Sequence, residues 1–588
     1  MEPSREEHDP GHYLHLLESR PIDATAADFR RDLAFATLTD EMVERMRPFG
    51  SEEVLPANTI LYTYCDRKTD MFVILEGRID ATLGVVSGEP LLFSQLRKNE
   101  FTGEFNLLNC QGSVTESRTV EESRLLRIQR QDLQRLMRSE GDIANLLISA
   151  MIWRRIGIMG VPSAGIALIG LPGDADLLLL RRFFARNYYP HRTVETNADD
   201  LPNGIHGGCA LPAVILLDGR VLPKPTISEL ADELGITETL DPAMVYDVAV
   251  VGAGPSGLAA AVYAASEGLC TVVIEGIAPG GQAGTSSKIE NYLGFPTGIS
   301  GQQLASRAQL QALKFGVHFA ISRDIVTCEQ VDNLHQLKLA GGTSICARSV
   351  VVASGAQYRK LSLENYSAYE NRGIYYAATA MESVLCRERE IIVVGGGNSA
   401  GQAAVFLSGI ATHVHHIVRG PSLASTMSQY LISRIEGSPR ITLYTDSEIE
   451  KLEGTSSLER VTWVNRKTGA VLCKLIRSVF VMIGAEPNSG WLFGTVKLDK
   501  KGFVLTGGPL GFENTPYATN VPGMYAVGDV RANSVKRIAS AVGEGSVVIS
   551  DVHRYLADHR NHVPAQPDST LEAMRTASAA QSPANHSL

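Results

Sequence analysis

The chain has 588 residues, well past the roughly 250–300 at which single hydrophobic cores stop growing, so several domains are expected. Its apolar fraction of 44% and charged fraction of 20% are those of an ordinary globular protein; a net charge of −10 argues against general affinity for nucleic acid, which needs clustered Lys and Arg. No run approaches the roughly 18 apolar residues of a membrane span, and the acidic N-terminus lacks the apolar core of a secretory signal, which reads as cytoplasmic. The eight cysteines (Cys65, Cys110, Cys209, Cys270, Cys328, Cys346, Cys386 and Cys473) stand singly and form no Cys-x-x-Cys, so spacing indicates neither a metal clip nor a local redox pair.

After an N-terminal extension (1–33), residues 34–150 alternate short apolar runs with turns. Ile60-Leu-Tyr62, Met71-Phe-Val-Ile-Leu-Glu-Gly77 and Leu125-Leu-Arg-Ile128 read as strands of a small β-roll, and Asp132-Leu-Gln-Arg-Leu-Met137 has helical spacing. With Gly103-Glu-Phe-Asn-Leu-Leu108 between them, the order of pieces resembles the cyclic-nucleotide-binding domain family. The resemblance implies that Gly103 and Glu104 grip a ribose and that an Arg soon after pairs with the cyclic phosphate. That stretch, Gln111-Gly-Ser-Val-Thr115, has no Arg, and Arg118 falls in an expected strand. Without a guanidinium the phosphate loses a charge-assisted contact. The expected role is an interaction or dimerisation module, with a bound cyclic nucleotide as the alternative.

Residues 164–240 make a second small α/β unit. Ile166-Ala-Leu-Ile-Gly170 is a strand, Asp176–Phe184 a helix, and Leu211-Pro-Ala-Val-Ile-Leu-Leu217 a strand opened by proline. This resembles a thioredoxin- or glutaredoxin-like domain, which implies a cis Leu211–Pro212 bond. The loop after the first strand, Leu171-Pro-Gly-Asp-Ala175, has no cysteine, so the unit is expected to be a redox-silent spacer or docking surface.

Residues 244–361 open with Tyr246-Asp-Val-Ala-Val-Val251, a β run, and Leu258–Ala265, a helical one, on either side of Gly252-Ala-Gly-Pro-Ser-Gly257. In this fingerprint Gly252 makes the turn, Gly254 lets a pyrophosphate approach the backbone and Gly257 allows close helix–strand packing, with Pro255 and Ser256 opening the helix whose N-terminus takes the phosphates. Glu275 ends the next strand, where a ribose diol is expected. Residues 362–486 repeat the pattern with Glu390-Ile-Ile-Val-Val394, Gly395-Gly-Gly-Asn-Ser-Ala400 and Gly401–Leu407. Here Gly395, Gly397, Asn398, Ser399 and Ala400 form the phosphate turn. The following strand ends in Arg419 rather than an acid, which favours a 2′-phosphate and therefore NADPH. His413, His415 and His416 read as ordinary strand residues with no metal role.

Together these motifs resemble the low-molecular-weight thioredoxin reductases, from about Met244 to Leu556, with the NADP fold inserted in an FAD fold that resumes at 487–558. The resemblance implies that Gly281, Gln282 and Asn291 lie in loops wrapping the flavin and that Ser354 and Gly355 lie beneath the pyrophosphate. It further implies that Gly528 and Asp529 reach the ribityl chain, and that Arg537, Ile538 and Ala539 begin a helix whose amides face the flavin. It also implies hinges near residues 362 and 483–488, about which the NADP domain rotates, and a homodimer. Residues 559–588 read as a disordered tail. The expected architecture is a multidomain α/β protein: two Rossmann-like domains preceded by a β-roll and a small thioredoxin-like unit.

In the family the stretch before the second fingerprint reads Cys-Ala-Thr-Cys-Asp. Here the cysteine positions hold Ala377 and Ala380, and the acid position holds Met381. Disulfide reduction needs a thiolate and a partner sulfur, which these residues cannot supply. The expected activity is transfer from NADPH to FAD and then directly to a small-molecule or protein acceptor. Two alternatives stay open: a disulfide reductase with thiols from elsewhere, such as Cys386, and a non-enzymatic flavin sensor.

Overall fold

The computed structural model describes residues 29–86, 89–109, 111–196, 209–286, 289, 291–370, 372–376, 378, 386–510 and 515–559. The extension before residue 29, the tail after 559, Cys110, and the expectations for Ala377, Ala380 and Met381 lie outside the described residues. Among those described, no helix is long and apolar enough to cross a membrane.

The N-terminal β-roll is two antiparallel sheets. Ser51–Leu55, Ser123–Ile128 and Met71–Glu76 form one; Ile60–Tyr62, Thr115–Thr119, Ile79–Leu83 and Leu91–Leu96 form the other. Met71, Phe72, Val73 and Ile74 are all buried, as expected of a strand enclosed on both faces. The expected helix runs over Arg130–Ser139 and is followed by a longer one, Gly141–Met159, that passes through the boundary placed at residue 150. This second helix buries Ile143, Leu147, Met151 and Ile158 on one face, but Arg154 and Arg155 are buried on that same face, so its buried side does not read as a purely apolar stripe in the sequence.

In the second unit the strand order is Val221–Pro223, Ala213–Ile215, Ile166–Gly170, His191–Glu195. The last pair is parallel and is joined by helix Ala175–Arg186, capped by the Asp174 carboxylate on the amides of Asp176 and Leu177. The Leu211–Pro212 bond is cis. This helix also leaves its own unit, since Leu178 packs into the apolar cluster containing Tyr375, Ile391 and Leu407, and the Arg182 guanidinium lies 5.8 Å from the Tyr375 ring centre.

The flavin-side sheet is parallel in the order His318–Ile321, Thr271–Glu275, Val245–Val251, Ser344–Val352, Met524–Ala526, with an antiparallel extension through Leu334–Leu339 and Ile325–Val331. The nicotinamide-side sheet is parallel in the order Ile374–Tyr375, Val479–Val481, Glu390–Val394, His413–Ile417, Ile441–Tyr444. The chain crosses between them twice, and the two crossings pair as short antiparallel strands, Ala356–Tyr358 with Ala485–Pro487.

Helix Pro255–Ser266 starts on a proline at its first position and stops at Gly268, which takes a positive φ of 90° while Leu269 N–H returns to Ala264 C=O. Against it lies the C-terminal helix Ile538–His559. The two approach so closely that a Cβ on Gly545 would sit 2.1 Å from the Ser256 carbonyl oxygen. Gly545→Ala therefore has to push two backbones apart and is expected to cost about 1–3 kcal/mol, read as a lower denaturant midpoint at unchanged slope.

Candidate functional site

The carboxyl ends of three parallel strands meet at one point, where open α/β sheets hold their ligands. Ala353 N–H donates to Val251 C=O at 2.8 Å and Val527 N–H to Val352 C=O at 3.0 Å, which brings Gly252, Ser354 and Gly528 together. Gly252 has φ 104°, and a Cβ there would lie 2.3 Å from the Ala353 carbonyl oxygen; one on Gly257 would lie 1.9 Å from the Gly252 carbonyl oxygen. Gly254 is different: its nearest neighbour, the Gly281 Cα, would be 4.0 Å from an added Cβ. That is an open cradle in front of a helix N-terminus with no side-chain cap, the shape and polarity a pyrophosphate requires.

Glu275 folds back onto this turn. Its Oε2 accepts from Ala253 N–H at 2.7 Å and its Oε1 from Ile277 N–H at 3.0 Å, so it braces the cradle from the end of its strand. The loop that follows closes over the turn, with Gly280 N–H donating to Ala253 C=O at 2.7 Å and the Gln282 side-chain amide donating to Ala356 C=O. Ile289 and Ile299 bridge the base of the next loop, which leaves Asn291 exposed and, among the described residues, without a bond to the cradle. Ser354 Oγ donates to Asn488 C=O at 2.7 Å and Asn488 Nδ2 to Ser354 C=O at 2.9 Å, tying Ser354 and Gly355 to the return crossing.

Gly528 N–H donates to Glu544 Oε2 at 2.6 Å, and Arg531 pairs with Glu544 at 2.7 Å. Burial pushes the adjacent Asp529 carboxyl up, against the pull of Lys536. Arg537 takes the N-cap position, its carbonyl accepting from Ala541 N–H at 2.9 Å, and Ile538 and Ala539 form the first turn of the last helix. Glu544 escapes sequence reading because nothing local marks a carboxylate that acts one helical turn beyond the motif.

The nicotinamide-side turn repeats the design. Gly395 has φ 139°, and a Cβ there would lie 2.2 Å from the Met482 carbonyl oxygen; Gly397 is open and precedes the uncapped helix Asn398–Ser408. Asn398 Oδ1 accepts from Ser428 N–H at 2.7 Å; Ser399 is exposed and Ala400 buried. Arg419 is exposed beyond the end of its strand, and no ion pair engages it among the described residues. The three histidines serve structure: His413 bonds Thr442 at 2.7 Å and His415 bonds Glu390 at 2.9 Å. His416 Nε2 donates to Gly395 C=O at 2.7 Å, supporting the phosphate turn from below, and burial keeps its ring neutral by lowering its pKa.

Of the thiols, Cys386 is fully buried in the nicotinamide-side core, and no disulfide occurs among the described cysteines. Burial pushes Cys270 up to about 11 and Cys328 up to about 12, so neither offers a thiolate at neutral pH.

In the β-roll, Glu104 is already occupied. Arg155 of helix Gly141–Met159 donates to it at 2.6 Å, with the two side chains 1% and 2% exposed. Arg154 Nη1 bonds Gly103 C=O at 2.7 Å, and its guanidinium lies 4.5 Å from the Phe101 ring centre. The cavity left beside Gly103, Glu104, Thr115 and Arg154 holds about 20 Å³, room for a single water. Arg118 pairs with Glu116 at 2.9 Å in strand Thr115–Thr119.

Residues 246–545 match the family described as pyridine nucleotide-disulphide oxidoreductase, and residues 52–140 match the cyclic nucleotide-binding domain. The thioredoxin reductase of Streptomyces coelicolor is 30% identical over 327 residues, 55% of this chain and 98% of that protein. That of Mycolicibacterium smegmatis is 33% identical over 314 residues, 53% of this chain and 97% of that protein. The NADH dehydrogenase of Bacillus subtilis is 28% identical over 339 residues, 58% of this chain and 64% of that protein. The crystal structure of Lactococcus lactis thioredoxin reductase superposes with a TM-score of 0.50 at 28% identity, covering 53% of this chain and 99% of that one.

Glu104→Gln leaves Arg155 charged, buried and unpaired, and is expected to destabilise the β-roll by about 3–5 kcal/mol, seen as a drop in its urea midpoint.

Proposed function

The chain belongs to the pyridine nucleotide-disulphide oxidoreductase family, as a thioredoxin reductase-like module joined to an N-terminal cyclic nucleotide-binding domain, and we propose that it passes electrons from NADPH through FAD directly to an acceptor without an active-site disulfide. The observation that carries this reading is the pairing of two open dinucleotide cradles with alanine at both expected cysteine positions, 377 and 380. FAD, when bound, accepts a hydride from the nicotinamide and releases electrons onward, the chemistry that no side chain here supplies.

The chain's own residues bind and orient. Gly252, Gly254, Pro255, Ser256 and Gly257 present helix amides to the FAD pyrophosphate, and Glu275, besides bracing the turn, keeps lone pairs for a ribose hydroxyl. Gly281, Gln282, Asn291, Ser354, Gly355, Gly528, Asp529, Arg537, Ile538 and Ala539 complete the flavin side. Gly395, Gly397, Asn398, Ser399 and Ala400 hold the second pyrophosphate, with Arg419 free to meet a 2′-phosphate. The acceptor is a small molecule or a protein electron carrier, and the working form is a cytoplasmic homodimer. A relative that is an NADH dehydrogenase supports a range of activity in the family beyond thioredoxin reduction. The burial of Cys386 speaks against a hidden thiol, and the engagement of Glu104 by Arg155 favours an interaction module over a cyclic-nucleotide receptor.

Anaerobic addition of NADPH is expected to bleach the oxidised flavin absorbance promptly, and Cys386→Ala to leave turnover unchanged. Absence of bleaching in flavin-loaded protein would favour the sensor, and loss of turnover in the Cys386 variant the hidden thiol. Arg419→Ala is expected to raise KM for NADPH by roughly tenfold or more while leaving KM for NADH unchanged, as one charge-assisted phosphate contact is lost.

A further inference from the structure

The oxidoreductase module does not account for the polar bonds that the second unit makes with its flavin side. At the end of helix Ala175–Arg186, Arg186 Nη2 donates to the carbonyls of Ala278 at 3.2 Å and Gly281 at 3.1 Å. The next residue, Asn187, is buried; its Nδ2 bonds Phe183 C=O at 2.9 Å and reaches Ile277 C=O at 3.5 Å. From the flavin side Gln302 Nε2 returns a bond to Arg186 C=O at 2.5 Å. The turn is held from the other side too, because Arg155 Nη1 donates to Tyr188 C=O at 2.6 Å while its Nε holds Glu104.

What Arg186 grips is the loop whose opposite side lies on the phosphate turn, through Gly280 N–H on Ala253 C=O and Gly281 beside Gly254. Gly280 has φ 109° and Gly281 has φ 52°, and residues this permissive do not fix the course of a loop by themselves. In a trans peptide the N–H points opposite to the preceding C=O. Holding the Gly281 oxygen on Arg186 therefore turns the Gln282 N–H away from the second unit.

We propose that Arg186 is a positioning residue for the flavin site, supplied by a unit outside both dinucleotide folds. It fixes the Ala278–Gln282 loop over the cradle from the side opposite the phosphate turn. The proposal rests on the reading of that cradle as the FAD site.

The test uses three full-length variants, Arg186→Ala, Arg186→Lys and Arg182→Ala, the last perturbing the same helix through Tyr375 without touching the loop. FAD affinity is measured by titration of flavin-stripped protein, together with the absorption band shape of the bound flavin. Arg186→Ala is expected to weaken FAD binding by about tenfold or more, the loss of charge-assisted bonds to two carbonyls. Arg186→Lys should recover part of this, since one ammonium reaches a single carbonyl without the fork, and Arg182→Ala should bind as wild type does. Wild-type affinity and band shape in Arg186→Ala would overturn the proposal. So would equal losses in Arg186→Ala and Arg182→Ala, which would mark a general loosening of the helix. A wild-type chain that takes up no FAD would instead overturn the cofactor reading beneath it.

Discussion

Everything on the flavin side depends on backbones meeting at distances that leave no room for a Cβ. Gly252 lies against the Ala353 carbonyl, Gly257 against the Gly252 carbonyl, Gly528 against the Ser256 side chain and Gly545 against the Ser256 carbonyl. Glycines from three separate stretches of the chain thus converge on the turn Gly252–Gly257 and the start of its helix. Backbone groups packed this tightly cannot be solvated individually, and they satisfy one another or face the cradle. The same knot determines where the nicotinamide-side fold can leave and re-enter, because Ser354 and Asn488 clasp the two crossings directly beneath it.

The second cradle solves the same problem with different support. On the flavin side a carboxylate, Glu275, holds the turn by accepting from the Ala253 N–H. On the nicotinamide side a neutral imidazole, His416, holds it by donating to the Gly395 carbonyl, and the exposed cation Arg419 stands beyond the strand end. The first arrangement brings negative charge to the ribose end of its site and the second brings positive charge. On the proposed reading of the two sites, that asymmetry is what would sort a dinucleotide without a 2′-phosphate from one that carries it.

Both cradles are legible in the sequence because the pattern changes from period 2 to glycine turn to period 3.6 within a dozen residues, and each change has a local cause. The β-roll is legible from its short apolar runs, and the cis Leu211–Pro212 bond only through the resemblance of its unit to a thioredoxin- or glutaredoxin-like domain. What escapes is long-range and polar. Glu104 is marked by its Gly-Glu motif, yet its partner lies 51 positions away, an arginine on the buried face of a helix where sequence reading expects apolar residues. Arg186 meets Gly281 across 95 positions, and a lone Arg at a helix end is otherwise an ordinary dipole-compensating residue. Periodicity reports which face is buried, not which side chain from another unit will arrive there.

The paired crossing Ala356–Tyr358 with Ala485–Pro487 is only three residue pairs wide, narrow enough to act as a pivot. Helix Ala175–Arg186 spans it, with Leu178 and Arg182 on one side and Arg186 on the other. Any swing about the pivot would first have to pull Leu178 out of an apolar cluster. The helix thus ties the two sides of the crossing together, and a swing about it has to carry the helix along or break its contacts on one side.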